Sequence, residues 1–308
     1  MRTAFVNQLI EEAEKHPNIF LIIGDLGFNV VEEFARRFPD RFLNIGIAEQ
    51  NMIGVAAGLA KEGYNVYVYS IANFPTLRCM EQIRYDVCYH NLSVKIVAVG
   101  AGYAYGSLGA SHHATEEMGM LRAIPDMVVA SPGCPLEAKM ITSISANYNG
   151  PMYLRLGKAG EKQVHCAEPA SLKMGDILEV RKGNAAVPAV VATGSILHYA
   201  SEFLKEKSID ASLYSVPFVK PINREHIKHL AETYNNIIVL EEHQKACGLG
   251  SAVVELVSDM YANGELSCFP KIKRVAIDDC FYHLSGSQSY LRNNANLMLT
   301  EEMFDTNL

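Results

Sequence analysis

The chain alternates short, almost wholly apolar runs with longer stretches in which apolar residues recur at helical spacing. In the first half the apolar runs are Ile19 to Ile23, Val66 to Tyr69, Val94 to Val99 and Met127 to Ala130, each bounded by Gly, Pro or polar residues. Runs this short with little polar alternation predict strands covered on both faces. Between them, Thr3 to Lys15, Glu49 to Lys61, Leu77 to Tyr89 and Pro135 to Ala146 carry the spacing of helices with one buried face. Strand and helix in alternation imply a mostly parallel sheet with helices on both sides.

Past Pro151 to Arg155 the pattern fades into Gly157-Lys158-Ala159-Gly160-Glu161-Lys162, a polar, Gly-containing stretch that reads as a linker. A second alternating series follows. It has strands at Ala189 to Thr193, Ser212 to Val216, Ile237 to Leu240 and Ile272 to Ile277, and helices at Ser195 to Lys207, Asn223 to Tyr234 and Gly250 to Tyr261. The expectation is an α/β protein of two domains, residues 1–160 and 175–308, each a mostly parallel sheet covered by helices. A length of 308 residues agrees, since single domains run to roughly 100–200 residues.

Composition narrows the class of function. With 49% hydrophobic and 20% charged residues the chain is an ordinary globular protein. A net charge of −7 and the lack of any Lys/Arg block argue against nucleic acid as a partner. Met1-Arg2-Thr3-Ala4-Phe5 leads straight into a helical pattern without an apolar signal core, and no apolar stretch approaches the roughly 18 residues that cross a bilayer. No membrane contact and a cytoplasmic location are therefore expected. The 7 cysteines include no C-x-x-C pair and read as reduced, mostly buried small hydrophobes.

The segment richest in chemistry runs from Phe42 to Ala60, a short strand leading into a helix that begins at Glu49. Ile, Met, Val and Ala flank the carboxyl, and burial favours the neutral, proton-carrying form of such a group. Gly54, Ala56, Ala57 and Gly58 would let another backbone approach closely. On the residues alone, Glu49 reads more readily as a first-turn acid complementing the helix dipole. The stretch is, however, similar to the segment around the cofactor-activating glutamate of transketolases and deoxyxylulose-phosphate synthases, and the resemblance runs from Arg2 to the C-terminus.

That resemblance implies a thiamine-diphosphate-dependent transferase of carbohydrate metabolism. Glu49 would then be catalytic, hydrogen-bonding the cofactor's aminopyrimidine so that its thiazolium carbon becomes a nucleophile. Phe74, after a strand in Ser70 to Thr76, matches the aromatic residue set against the pyrimidine, although a strand-end Phe is commonly core. Asp25 matches an acidic residue close to the cofactor, or is simply a turn residue in Gly24-Asp25-Leu26-Gly27. In the loop Gly102 to Glu117, Ser111 and His112 fall on a Thr-His pair that meets substrate, which makes His112 the second catalytic candidate. Paired with His113 it could instead bind metal, but no third ligand stands nearby in sequence. Arg155 and Arg2 match anion-binding arginines for the substrate. Two positions depart from the family: Leu108 stands for an aspartate that meets substrate hydroxyls, and Gly100 for a histidine that touches a phosphate.

The family's magnesium and diphosphate motif, Gly-Asp-Gly followed by an Asn, is missing. Gly24-Asp25-Leu26-Gly27 lacks the second Gly, and Gly100, Gly102 and Gly106 miss a dinucleotide fingerprint by one position. The chain begins where the family's pyrimidine-binding domain begins. A split enzyme is therefore expected, in which a partner subunit holds Mg2+ and the diphosphate, and two of each chain form a heterotetramer. The expected reaction is transfer of a two-carbon ketol unit from a ketose to an aldose. Alternatives are the beta subunit of a 2-oxo acid dehydrogenase or decarboxylase, a deoxyxylulose-phosphate-synthase-like condensation, and an inactive regulatory subunit.

Overall fold

The computed structural model describes residues 1–27, 29–167, 169 and 171–305. The first series forms α1 (Arg2–Lys15), β1 (Ile19–Ile23), α2 (Glu32–Arg37), β2 (Phe42–Asn44), α3 (Glu49–Lys61), β3 (Asn65–Ile71), α4 (Met80–Gln82), β4 (Val94–Val99), α5 (Glu117–Arg122), β5 (Val128–Ala130), α6 (Pro135–Ala146) and β6 (Met152–Leu156). The second forms β7 (Leu178–Arg181), β8 (Ala189–Ala192), α7 (Ile196–Glu206), β9 (Leu213–Ser215), β10 (Phe218–Lys220), α8 (Arg224–Thr233), β11 (Asn236–Gln244), α9 (Leu249–Ala262), β12 (Lys271–Ile277) and α10 (Gln288–Asn294). Two mostly parallel sheets result, in the orders β10-β5-β6-β4-β3-β1-β2 and β12-β11-β8-β9-β7.

The two-residue period of the central strands sorts their side chains onto two faces. Ile22, Val66, Val68, Ile96 and Ala98 pack with Met52, Ile53 and Ala56 of α3, while Leu21, Ile23, Tyr67, Tyr69 and Val97 pack with Phe5 and Leu9 of α1 and Ile141 of α6. Each fully buried Val, Leu or Ile contributes about 1.5–3 kcal/mol. Every residue of β4 and β6 is buried, Lys95 and Arg155 included; backbone carbonyls of Tyr148 and Gly150 meet the one and Glu117 the other.

Three features depart from the sequence pattern. The predicted helix Leu77 to Tyr89 is a 3-10 turn (Leu77–Cys79), then α4, then a π-helical segment (Ile83–Cys88). Second, β10 leaves its own domain and pairs antiparallel with β5, completing the first sheet. Third, β7 pairs antiparallel with β9, so the second sheet is not wholly parallel. The core ignores the linker as well: Leu249, Val253 and Val257 of α9 share one apolar cluster with Met118, Leu121 and Val129 of the first series.

The loop after β4 depends on this union. Gly102 and Ala114 close its base through two backbone hydrogen bonds of 2.9 Å each. Gly102 has φ +60°, and a Cβ there would lie 2.5 Å from Cγ of Glu242 on β11. Positive φ and the close approach both require glycine. Gly102→Ala is expected to destabilise the chain by about 2 kcal/mol or more, read as a lower urea midpoint; an unchanged midpoint would mean that this loop does not bear on the second domain.

Candidate active site

In the first sheet the chain runs from β1 outward to β2 and then returns through α3 to β3 on the other side of β1. This reversal leaves a crevice beyond the carboxyl ends of β1 and β3, the place where open α/β sheets bind ligands. Glu49, the first residue of α3, stands there and is only 2% exposed. Ser70 Oγ donates to its Oε1 at 3.4 Å, and Arg78 Nη1 donates to its Oε2 at 2.9 Å. The dipole of α3 also favours negative charge at this position, so the helix-capping reading and a chemical role are compatible.

Arg78 links this carboxylate to the next group. Its guanidinium lies 4.9 Å from the centre of the Phe74 ring, and Phe74 meets His112 edge to face with ring centroids 5.4 Å apart. Ser111 Oγ lies 3.0 Å from His112 Nδ1. Glu49, Phe74, Ser111 and His112 therefore share one rim. The 3-10 turn at the head of the predicted helix is what presents Arg78 to both Glu49 and Phe74. Cys79 follows, buried; its surroundings and the Glu49 charge push its thiol up to about 12, which keeps it inert as a nucleophile.

Asp25 occupies the turn after β1 with φ +53°. Its backbone N–H donates to Asn44 Oδ1 at 3.1 Å, and Asn44 Nδ2 donates to its Oδ1 at 3.0 Å. Gly46 N–H also donates to Asn44 Oδ1, at 3.0 Å, so Asn44 fastens both turns that lead to Glu49. Sequence reading missed both Asn44 and Arg78. Arg78, Glu81, Gln82 and Arg84 recur at helical spacing, a pattern that fits an interface face or a merely solvated one.

The arginines separate from the rim. Arg2 begins α1, on the sheet face opposite α3; its charge acts on Tyr69, the neighbour of Ser70 that points the other way along β3. Its buried Nε has no hydrogen-bond partner. Arg155, expected at the substrate, lies inside the protein and away from the rim. Arg155 is 2% exposed, its Nε donates to Glu117 Oε1 at 2.5 Å, and its Nη2 donates to the carbonyls of Ala114 at 2.7 Å and Glu242 at 3.0 Å. The Nε–Nη2 edge of the guanidinium is thereby taken up inside the protein. Burial works to raise the Glu117 carboxyl, but Arg155 and His243 outweigh it and hold the carboxyl below its ordinary value.

The departures have local causes. Gly100 has φ +99°, and a Cβ there would come within 2.6 Å of Cε2 of Tyr105, so no histidine fits this backbone. Leu108 is 56% exposed on the loop and Ile47 is 79% exposed just before Glu49. His113, by contrast, turns inward: it is 6% exposed, its Nε2 has no partner, and it lines a cavity of about 340 Å³ with Asn73, Tyr103 and Tyr282. Asn73 Nδ2 donates to the His113 carbonyl. Burial first, and the neighbouring His112 second, lower the His113 imidazole below its ordinary value.

Residues 1–160 match the family described as transketolase, pyrimidine binding domain, and residues 175–292 match the transketolase C-terminal domain. The chain is 36% identical to a putative transketolase C-terminal section of Methanocaldococcus jannaschii, over 91% of this chain and 87% of that one. It is 32% identical to a subunit of the apulose-4-phosphate transketolase of Phocaeicola vulgatus, over 84% of this chain and 83% of that one. A solved split-gene transketolase in an inactive β4 tetramer superposes with a TM-score of 0.81 at 32% identity, covering 96% of this chain and 93% of the other. A sheet pair with a carboxylate buried at the switch point thus has its relatives, and the chain belongs to the transketolase family. It is a subunit of a transketolase-like transferase, and membership carries dependence on thiamine diphosphate. Among the described residues no helix is long and apolar enough to cross a membrane.

The buried pair beneath the loop gives a direct test. Glu117→Gln is expected to lower the unfolding free energy by about 3–5 kcal/mol by stranding Arg155 without its counter-charge, measured by urea denaturation. A loss below about 1 kcal/mol, the range of exposed pairs, would return Arg155 to the candidates for substrate contact.

Proposed function

We propose that this chain supplies the aminopyrimidine-activating half of a split transketolase, and that a partner subunit holds the diphosphate and Mg2+. The observation that carries the reading is Glu49: a carboxylate 2% exposed, at a helix N-terminus in the sheet crevice, with an aromatic ring and an imidazole on the same rim. The residues fit the cofactor's pyrimidine end. Gly24 borders the Glu49 carboxylate, where even a Cβ would sit in ordinary contact 3.7 Å from Oε1, and Phe74, half-buried, brings its ring to the same rim. They do not fit its diphosphate, because the sequence contains no Gly-Asp-Gly motif.

When bound, thiamine diphosphate supplies a nucleophilic carbon able to cleave a ketose and carry its two-carbon fragment to an aldose. Glu49 holds and shares a proton at the pyrimidine, and its buried position keeps water from competing. Arg78 already donates to Oε2, so Oε1, met only by Ser70 at 3.4 Å, would be the freer oxygen for the pyrimidine. Phe74 walls the ring, and Asp25, fixed by Asn44, stands at the crevice edge. His112, oriented by Ser111, is placed to exchange protons with substrate hydroxyls. The anion-binding role assigned to Arg2 has only its unpartnered Nε in support.

Exposed Ile47 and Leu108 beside the rim are apolar side chains that a partner surface would cover. Two copies of each chain in a heterotetramer would pair the sites by twofold symmetry, and the β4 tetramer of the solved relative is labelled inactive. A sugar substrate and a cytoplasmic setting complete the reading.

Reconstituted with its diphosphate-binding partner, thiamine diphosphate and Mg2+, the wild-type chain should transfer a ketol unit from a ketose donor without releasing carbon dioxide from 2-oxo acids. Carbon dioxide release would replace this reading with a decarboxylase. Glu49→Gln should cut turnover by roughly 10²–10⁴-fold while circular dichroism stays unchanged; near-normal turnover would remove Glu49 from the chemistry. By calorimetry the chain alone should show no tight, magnesium-dependent binding of thiamine diphosphate, and finding such binding would remove the need for a partner.

A further inference from the structure

Outside the crevice, one group of side chains has no part in the reading above. Cys134, at the N-cap of α6, and Glu137, in its first turn, meet His165 from the segment that joins the two domains. One donor atom from each, a sulfur, a carboxylate oxygen and an imidazole nitrogen, lies within 4.8 Å of the other two. All three are shielded: Cys134 is 0% exposed, and the side chains of Glu137 and His165 are 0% and 4% exposed. We propose that Cys134, Glu137 and His165 form a zinc-binding site that fastens the interdomain segment to α6.

The donor set suits zinc, which takes thiolate, imidazole and carboxylate in one shell. Charge balance suits burial too. A divalent cation with one thiolate, one carboxylate and one neutral imidazole has no net charge, so the filled site avoids the cost of an unpaired buried ion. The thiol proton leaves for solvent on binding. Zinc at about 2.0–2.2 Å from nitrogen and oxygen needs those atoms roughly 3.3 Å apart, whereas His165 Nε2 and Glu137 Oε1 are 2.7 Å apart. A half-ångström swing of the His165 ring therefore opens the site, and among the described residues the segment bearing it contains no strand or helix that would resist. Glu137 is held ready, since its Oε2 accepts the Gly133 backbone N–H at 2.6 Å and leaves Oε1 facing the other donors. The hydrogen bond between His165 and Glu137 joins two members of the group; burial pushes the thiol of the third up, while backbone N–H groups of Glu137, Val164 and Leu136 face its sulfur and favour the thiolate.

The metal-stripped full chain, titrated with Co2+ as a spectroscopic stand-in, should develop a thiolate-to-cobalt charge-transfer band and tetrahedral d–d bands at one equivalent, both lost on adding Zn2+. Zn2+ should also raise the thermal midpoint by about 3 °C or more. Cys134→Ser and His165→Asn should each abolish the bands and the shift, while Cys166→Ser, at the exposed neighbouring cysteine, should keep both. Absence of a cobalt–thiolate band in the wild type overturns the proposal. So does a band that survives Cys134→Ser or depends on Cys166. His165→Asn alters a residue outside every helix and strand, so it keeps the test valid should Cys134→Ser disturb the core.

Discussion

The structure hangs on a buried ion pair. Arg155 on β6 and Glu117 at the head of α5 meet with neither group in water, and the same guanidinium holds the carbonyls of Ala114 and Glu242. Glu242 extends the network, accepting from the Tyr103 backbone and from Arg292 of α10. One set of charges thus reaches both ends of the loop that carries Ser111 and His112, and both domains. Desolvating such groups is costly, and apolar replacements of the same shape often fold as well. What the pair adds is a tie between β6, the loop and β11, with Glu117 Oε1 carrying the contact while Oε2 stays buried without a partner.

The crevice is built differently. Glu49, Arg78, Phe74 and His112 form a chain of single contacts at its rim, with Arg78 half exposed and Ser111 in solvent. Networks that are completed internally rigidify, and groups left with spare capacity are free to meet something else. The contrast between the buried Arg155 network and the half-exposed rim separates the scaffold from the working surface more clearly than residue type does, since both contain Arg, Glu and His.

Much of this was legible in the chain. β1, β3 and β4 were readable because a strand buried on both faces is largely apolar, and α1, α3 and α6 because one buried face imposes its period. Glu49 stood out as an acid inside an apolar helix start, although its resemblance to a known segment, not its spacing, raised it above a dipole partner. β10 was not legible: three residues paired with a strand far back in sequence leave no local period. Nor was the π-helical segment, since a change from four-residue to five-residue bonding costs no change in composition. Arg155 misled because a strand-end arginine looks available until its partner is known, and Glu117 lies 38 residues away. The acidic pair Glu116-Glu117 was the one signal that could have suggested a buried counter-charge.

The strand exchange at β10 changes what the linker means. Composition marks residues 157–162 as the natural seam, yet a strand from beyond that seam closes the first sheet, and α9 lends its apolar face to the first domain's core. The two halves therefore share one cooperative fate. Heat or denaturant that loosens either must loosen both, and the flexible stretch between them acts as a bookbinding thread rather than a hinge: it joins pages that are already glued along another edge.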